Sequence, residues 1–349
     1  MIMVSAETPP IRGEEDSLAA TARTADESSF TELVEHHRHE LRVHCYRMLG
    51  SFEESEDLVQ ETFLRAWRGR EGFQGRSTFR AWLYRIATNA CLDFLDRFPR
   101  HPRPRQEPMM ADPAMAVPPA EVSWLQPYPD RLLDPITPDD AGPATALIAK
   151  ETIELAFLAA IQHLPPRQRA VLILRDVLGW SAPETAALLE VSVASVKSTL
   201  QRARPVMREH LPPRRLEWAP SADPSGAERA LLQRYIDAVE QADPSILAAL
   251  LREDAWQTMP PAPIWLAGRE AIVAAWTPAM IGPEAWGDWR LLPTWANRQP
   301  AAAAYLRRPG EPAYLPSWLA VLRVEGDLVA EITTYGHGLF PAFGLPPAL

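Results

Sequence analysis

The chain has 349 residues, of which 47% are hydrophobic and 23% charged, the make-up of ordinary globular protein in about two to three domains. A formal net charge of −10 counts against a nucleic-acid binder, but arginine clusters locally at Arg65–Arg85 and again at Lys197–Arg215, which suits regulated DNA contact. Its two cysteines, Cys45 and Cys91, belong to no CxxC or Cys/His cluster, and neither an apolar leader nor a run of about 18 apolar residues is present; the expectation is a soluble cytoplasmic protein with no membrane segment, metal or cofactor.

In chain order, residues 1–28 read as a disordered acidic tail, and residues 29–98 as a first helical module. Phe30, Leu33, Val34, His37, Leu41, His44, Cys45 and Met48 recur at helical spacing, and Gly50 caps that helix. A second helix starts near Ser51 and runs to Trp67. A third starts at Ser77 or Thr78 and carries Phe79, Trp82, Leu83, Ile86, Ala90 and Phe94 on one face.

Residues 99–143 are rich in Pro, Ala and Asp without a sustained period, which predicts a linker. Its aromatic stretch from Trp124 to Leu133 is suited to docking on a neighbouring domain. A second helical module is expected over residues 144–215. Its first helix carries Ile153, Phe157, Ala160 and Ile161, and Pro165 and Pro166 open the next. Two short helices follow, Ser181–Leu189 and Val193–Arg204, with Pro205 placed to kink or end the last.

Residues 226–349 differ in character. An amphipathic helix carries Leu231, Leu232, Tyr235, Ile236 and Val239, and Asp243-Pro244 starts another. Trp318 to Val324 and Leu328 to Thr334 then alternate around a turn at Glu325-Gly326-Asp327. Helices followed by strands predict an α+β domain.

The pair Ser181–Arg204 carries the most chemical information. Ser181 and Glu184 fit a capping box. Val196 and Leu200 face inward, which leaves Ala194, Ser195, Lys197, Ser198, Gln201 and Arg202 outward. Such a helix fits a major groove, where short side chains admit close approach and Lys or Arg reaches phosphate or guanine. An ordinary helix pair with a solvated charged face is the competing reading.

The run Leu164 to Leu172, followed by Ser181 to Arg204, resembles the promoter-reading fourth region of the sigma-70 family of RNA polymerase sigma factors, of the extracytoplasmic-function (ECF) type. Asp57 to Trp67 resembles that family's polymerase-binding helix, and Phe79 to Asn89 its promoter-melting segment. The resemblance implies an alternative sigma factor rather than an enzyme. It would bind core RNA polymerase at clamp and flap and direct promoter-specific initiation. Asp57, Gln60, Glu61 and Arg65 would meet polymerase; Arg76, Arg80, Tyr84 and Asn89 would meet minus-ten DNA, alongside Trp82, whose spacing also suits the core. Glu190 stands at the helix-turn-helix turn where the family has Gly, and Thr199 where it has a basic residue.

The C-terminal residues Leu232, Tyr235, Asp243, Met259-Pro260-Pro261 and Gly268 to Ile272 resemble SnoaL-like, NTF2-like cone-shaped α+β barrels. The expected architecture is therefore two all-α modules, the second with a helix-turn-helix, followed by this barrel as a regulatory domain acting in cis. Trp256, Met259, Trp265, Trp276, Trp318 and Tyr335 are the candidate pocket for a small apolar ligand, although tryptophans also fill small barrels. Two rivals remain: a ligand-sensing operator binder, and an enzyme using Asp254, Glu331, Tyr335 or His337.

Overall fold

The computed structural model describes residues 26–75, 77–102, 109–111, 122–133, 153–211 and 226–349. The acidic tail up to residue 25, Arg76 and most of the Pro-rich segment lie outside the described residues. The chain forms two compact units, Met1–Arg100 with Pro165–Arg204, and His101–Leu164 with Pro205–Leu349.

In the first unit, α1 (Glu27–Glu35) begins where Asp26 accepts the amide of Ser29. The apolar repeat from Phe30 to Met48, expected as one helix, breaks at His36 and His37, and α2 covers Arg38–Leu49. His37 turns its Nδ1 to Glu40 at 2.6 Å, a local contact that a periodicity argument does not register. Gly50, at φ 72°, caps α2 by donating its amide to Tyr46, the left-handed geometry for which glycine lacks a steric penalty. Ser51 caps α3 (Phe52–Gly69) and Thr78 caps α4 (Phe79–Arg97). These helices close on a core that includes Leu41, Met48, Val59, Ala66, Leu83, Ala87 and Cys91.

The same unit contains α6 (Pro166–Leu172), its wide-turn continuation Ile173–Val177, α7 (Ala182–Leu189) and the start of α8 (Val193–His210). Helices α6 and α7 pack on α4, and α6 also on α2. Arg169 on α6 is 2% exposed and donates to the main-chain oxygen of Met48. That oxygen lies in the last turn of α2, where carbonyls lack helical partners. Pro205 does not end α8, which continues to His210.

The second unit is built on a seven-stranded sheet in the order β1-β3-β2-β7-β6-β5-β4. The strands are β1 (Met110–Ala111), β2 (Leu251–Thr258), β3 (Trp265–Ala267), β4 (Asp288–Ala296), β5 (Gln299–Arg307), β6 (Leu315–Glu325) and β7 (Leu328–Gly336). Helices α9 (Gly226–Glu240), α10 (Pro244–Leu250) and α11 (Arg269–Met280) pack on one face. This is the expected α+β cone. Side chains alternate between faces, so Ala255, Leu291, Ala302, Ala304, Ala320 and Ile332 join that helical core while their neighbours point to the outer face.

The aromatic linker and α5 (Leu155–Gln162) belong to this second unit. The module expected over residues 144–215 is therefore divided: its first helix and the last turn of α8 lie with the cone. The β4–β5 turn holds the linker. Asn297 and Arg298 sit at φ 56° and 60°, as a tight primed turn requires. The Tyr128 amide donates to Asn297 Oδ1 at 2.7 Å, the Asn297 amide to the Tyr128 oxygen at 2.9 Å, and Asn297 Nδ2 to the Ile153 oxygen at 2.7 Å. Asn297 and Tyr128 are both fully buried.

Candidate polymerase, promoter and ligand sites

On α3, the pattern that buries Leu58, Val59, Thr62 and Ala66 leaves Asp57 and Gln60 exposed, with Glu61 and Arg65 half-exposed. Arg65 is held in place: its Nε donates to Glu61 at 2.7 Å and an Nη to Asp93 at 2.7 Å. The four side chains expected to meet polymerase thus share one solvent-facing polar stripe.

The residues expected to meet minus-ten DNA do not form one surface. Asn89 is exposed, as is Arg85. Tyr84 is 1% exposed and its hydroxyl donates to Glu40 Oε2 at 3.2 Å, so the expectation of a DNA-facing Tyr84 is corrected to a buried one. Trp82 stacks on Phe73 with ring centroids 4.9 Å apart and is buried, as its spacing with Phe79 suggested. Arg80 is half-exposed but engaged: its Nε donates to Glu40 at 2.7 Å, and its guanidinium lies 5.0 Å from the Tyr84 ring and 6.0 Å from that of Trp180. Burial pushes the Glu40 carboxyl up, yet the His37 hydrogen bond and the Arg80 charge outweigh it and leave its pKa lowered. Arg76 lies outside the described residues.

In the helix-turn-helix, Ser181 and Glu184 form the reciprocal capping box, and Ser192 Oγ accepts the Ser195 amide at the start of α8. Val196 and Leu200 are buried, while Ala194, Lys197, Ser198, Gln201 and Arg202 are exposed and Ser195 is half-exposed. Glu190 adopts φ 55°, ψ 43° at the turn. Thr199 is 8% exposed, which makes it a packing residue rather than a missing cation. Leu188 is buried beside Ala186.

In the cone, the six expected pocket residues do not share a cavity. Trp276 and Trp318 line the interior with Tyr235, Trp289 and Met280, where about 20 Å³ remains. Trp256 lies on the opposite face of β2 from Gln257, and with Met259 it lines a separate cavity of about 80 Å³. Pairing of Thr258 with Trp265 and of Leu319 with Tyr335 places Trp265 and Tyr335 on that outer face as well. A reading by residue type gathers tryptophans together; strand parity separates them.

Two segments of the chain match known families: residues 33–98 match Sigma-70 region 2, and residues 154–204 match Sigma-70, region 4. ECF RNA polymerase sigma factor SigG of Mycobacterium tuberculosis is 43% identical over 337 residues, covering 93% of this chain and 86% of that protein. This chain is an ECF RNA polymerase sigma factor. ECF sigma factor SigW of Bacillus subtilis is 30% identical over 189 residues, covering 54% of this chain and 92% of that one. The fold of the whole sigma factor is shared with the crystal structure of the M. tuberculosis extracytoplasmic-function sigma factor SigJ, at 20% identity and a TM-score of 0.54, covering 91% and 99% of the two chains. As an alternative sigma factor it engages core RNA polymerase and promoter DNA and directs transcription. Among the described residues no helix is long and apolar enough to cross a membrane.

Proposed function

We propose that this sigma factor binds the polymerase clamp through Asp57, Gln60, Glu61 and Arg65 and leans on the flap through its fourth region. It reads the minus-thirty-five element through Ala194, Ser195, Lys197, Ser198, Gln201 and Arg202, and minus-ten DNA through Arg80 and Asn89. The observation that carries this reading is the exposed polar stripe of α3, together with an exposed groove-fitting face on α8, in a chain with both sigma regions. In vitro transcription with core polymerase tests it. Asp57→Ala with Glu61→Ala should cut promoter-specific transcript at least tenfold while the fold persists by circular dichroism; undiminished transcript would refute the α3 assignment.

The cone regulates initiation in cis. Support comes from connectivity: α5 and the end of α8, both flanking the helix-turn-helix in sequence, belong to the cone's unit along with the linker. A change of state in that unit therefore bears on the segments that lead into and out of the DNA reader. Deleting residues 226–349 should change transcript yield from a cognate promoter; an unchanged promoter profile would sink the cis reading.

Catalysis by the cone is disfavoured. A general base needs its pKa raised toward neutrality, whereas hydrogen bonding and charge from Arg252 lower that of Asp254. Glu331 is tied up by Arg323, whose Nε donates to it at 3.0 Å.

A further inference from the structure

We propose that the cavity on the outer face of the cone, not its interior, is the effector site. Its occupant is a small, uncharged, largely apolar molecule bearing one hydrogen-bond-accepting oxygen. The site exists independently of the cis reading above, but its role as an effector site rests on that reading.

The interior is excluded by volume. The roughly 20 Å³ left among Tyr235, Trp276, Trp289 and Trp318 is room for about one water, which needs about 10–15 Å³, and not for an organic molecule. The outer cavity is about 80 Å³ and has a local cause. Ala156, Ala159 and Ala160 on α5 turn toward it, and spacings of three and four put them on one helix face. Larger side chains there would fill the space. Opposite them stand Leu125 of the linker, Trp256 and Ile264.

The polar groups select the ligand. Trp256 Nε1 is shielded from solvent and has no acceptor among the described residues. A buried donor without a partner calls for an acceptor at that position. The acidic group in the wall, Glu331, is already neutralised by Arg323, whose Nε donates to it at 3.0 Å. An ammonium ligand would have to displace that arginine, and a carboxylate would face Glu331. A neutral molecule with a carbonyl or ether oxygen suits both groups.

The cavity also includes the end of the helix that carries the DNA reader. His210, in the last turn of α8, forms part of the wall and stacks face to face on His163, with ring centroids 3.7 Å apart. The same helix carries Ser195, Lys197 and Gln201 on its exposed face. An occupant that favours one arrangement of the His163–His210 wall shifts the population of α8 positions.

Cyclohexanone is a suitable probe, with methylcyclohexane as the match lacking the oxygen and cyclohexylamine as the cationic match. Titration calorimetry on the full chain should show cyclohexanone binding at least tenfold tighter than either. Trp256→Phe, which keeps the ring and removes the N–H, should erase that preference, and Ala159→Phe should abolish binding. Trp318→Phe in the interior should leave it intact. Binding retained in both outer-face variants, binding lost only in Trp318→Phe, or no preference for the ketone would each overturn the site. Binding that leaves transcription unchanged would overturn the effector role and count against cis regulation. Transcription that responds to loss of residues 226–349, without any cyclohexanone binding, would overturn the site alone.

Discussion

His44 is fully buried between α2 and α4, with Nε2 2.9 Å from the Thr88 hydroxyl. That hydroxyl donates to the Tyr84 oxygen, so it accepts from a neutral imidazole protonated at Nε2. Burial, with the nearby Arg47 charge, lowers the His44 pKa to about 3. The unfolded chain takes up a proton near the ordinary value of about 6.5, while the folded chain does not until about 3. Stability from this group is complete above about pH 6.5 and falls as pH drops toward 3, by up to about 1.4 kcal/mol per pH unit. Urea melts at pH 7.5 and 5.5 should differ accordingly, and His44→Gln should reduce the difference; equal pH sensitivity in wild type and variant would refute the assignment. Glu190 offers a second test at this scale. Its left-handed φ of 55° costs a non-glycine residue about 1–2 kcal/mol. Glu190→Gly should therefore stabilise the first unit by about 1 kcal/mol in the same melts, less whatever glycine loses in chain entropy.

At the scale of elements, the caps were the most legible feature. Gly50, Ser51, Thr78, Ser181 and Asp243 each sit at a helix end, because capping depends on one residue type at one position. Ser181→Ala should lower stability by about 1 kcal/mol and weaken minus-thirty-five binding with little change at minus-ten, read by footprinting. Strands β4 and β5 were illegible. Residues Ala301–Ala304 are fully buried in β5, but alanine has weak β preference and a strand buried on both faces loses its alternation. The candidate pocket failed for a related reason. Trp256 and Trp318 are compositionally alike, and only strand parity assigns them to different sides of the sheet. Which residues of α3 and α8 face outward was readable, since helical period alone fixes that.

At the scale of the whole molecule, the first unit holds region 2 and the helix-turn-helix of region 4 in one packed body. Arg169 is buried against the end of α2, where burial lowers its pKa to about 9, and the Trp180 ring lies 5.3 Å from that of Tyr84. Minus-ten and minus-thirty-five elements stand about 25 base pairs apart, about 85 Å at roughly 3.4 Å per step. A body in which α6 and α7 touch α4 cannot span that distance, so the proposed reading of both elements requires region 2 and region 4 to separate on the promoter. Arg169 sets the cost of separation. Its guanidinium exchanges the Met48 carbonyl for water on opening, whereas Arg169→Ala removes the hydrogen bond and leaves the orphan carbonyl and a cavity, at about 2–3 kcal/mol. Fluorophores at Asp96→Cys and Ala187→Cys, both exposed, with Cys45 and Cys91 replaced by Ala, should report a short distance in the free protein. Holoenzyme on promoter DNA should move them tens of ångströms apart. Arg169→Ala should shift free protein toward the open distance and raise the rate of holoenzyme assembly. A separation that stays short on promoter DNA would show that the packed body itself engages polymerase.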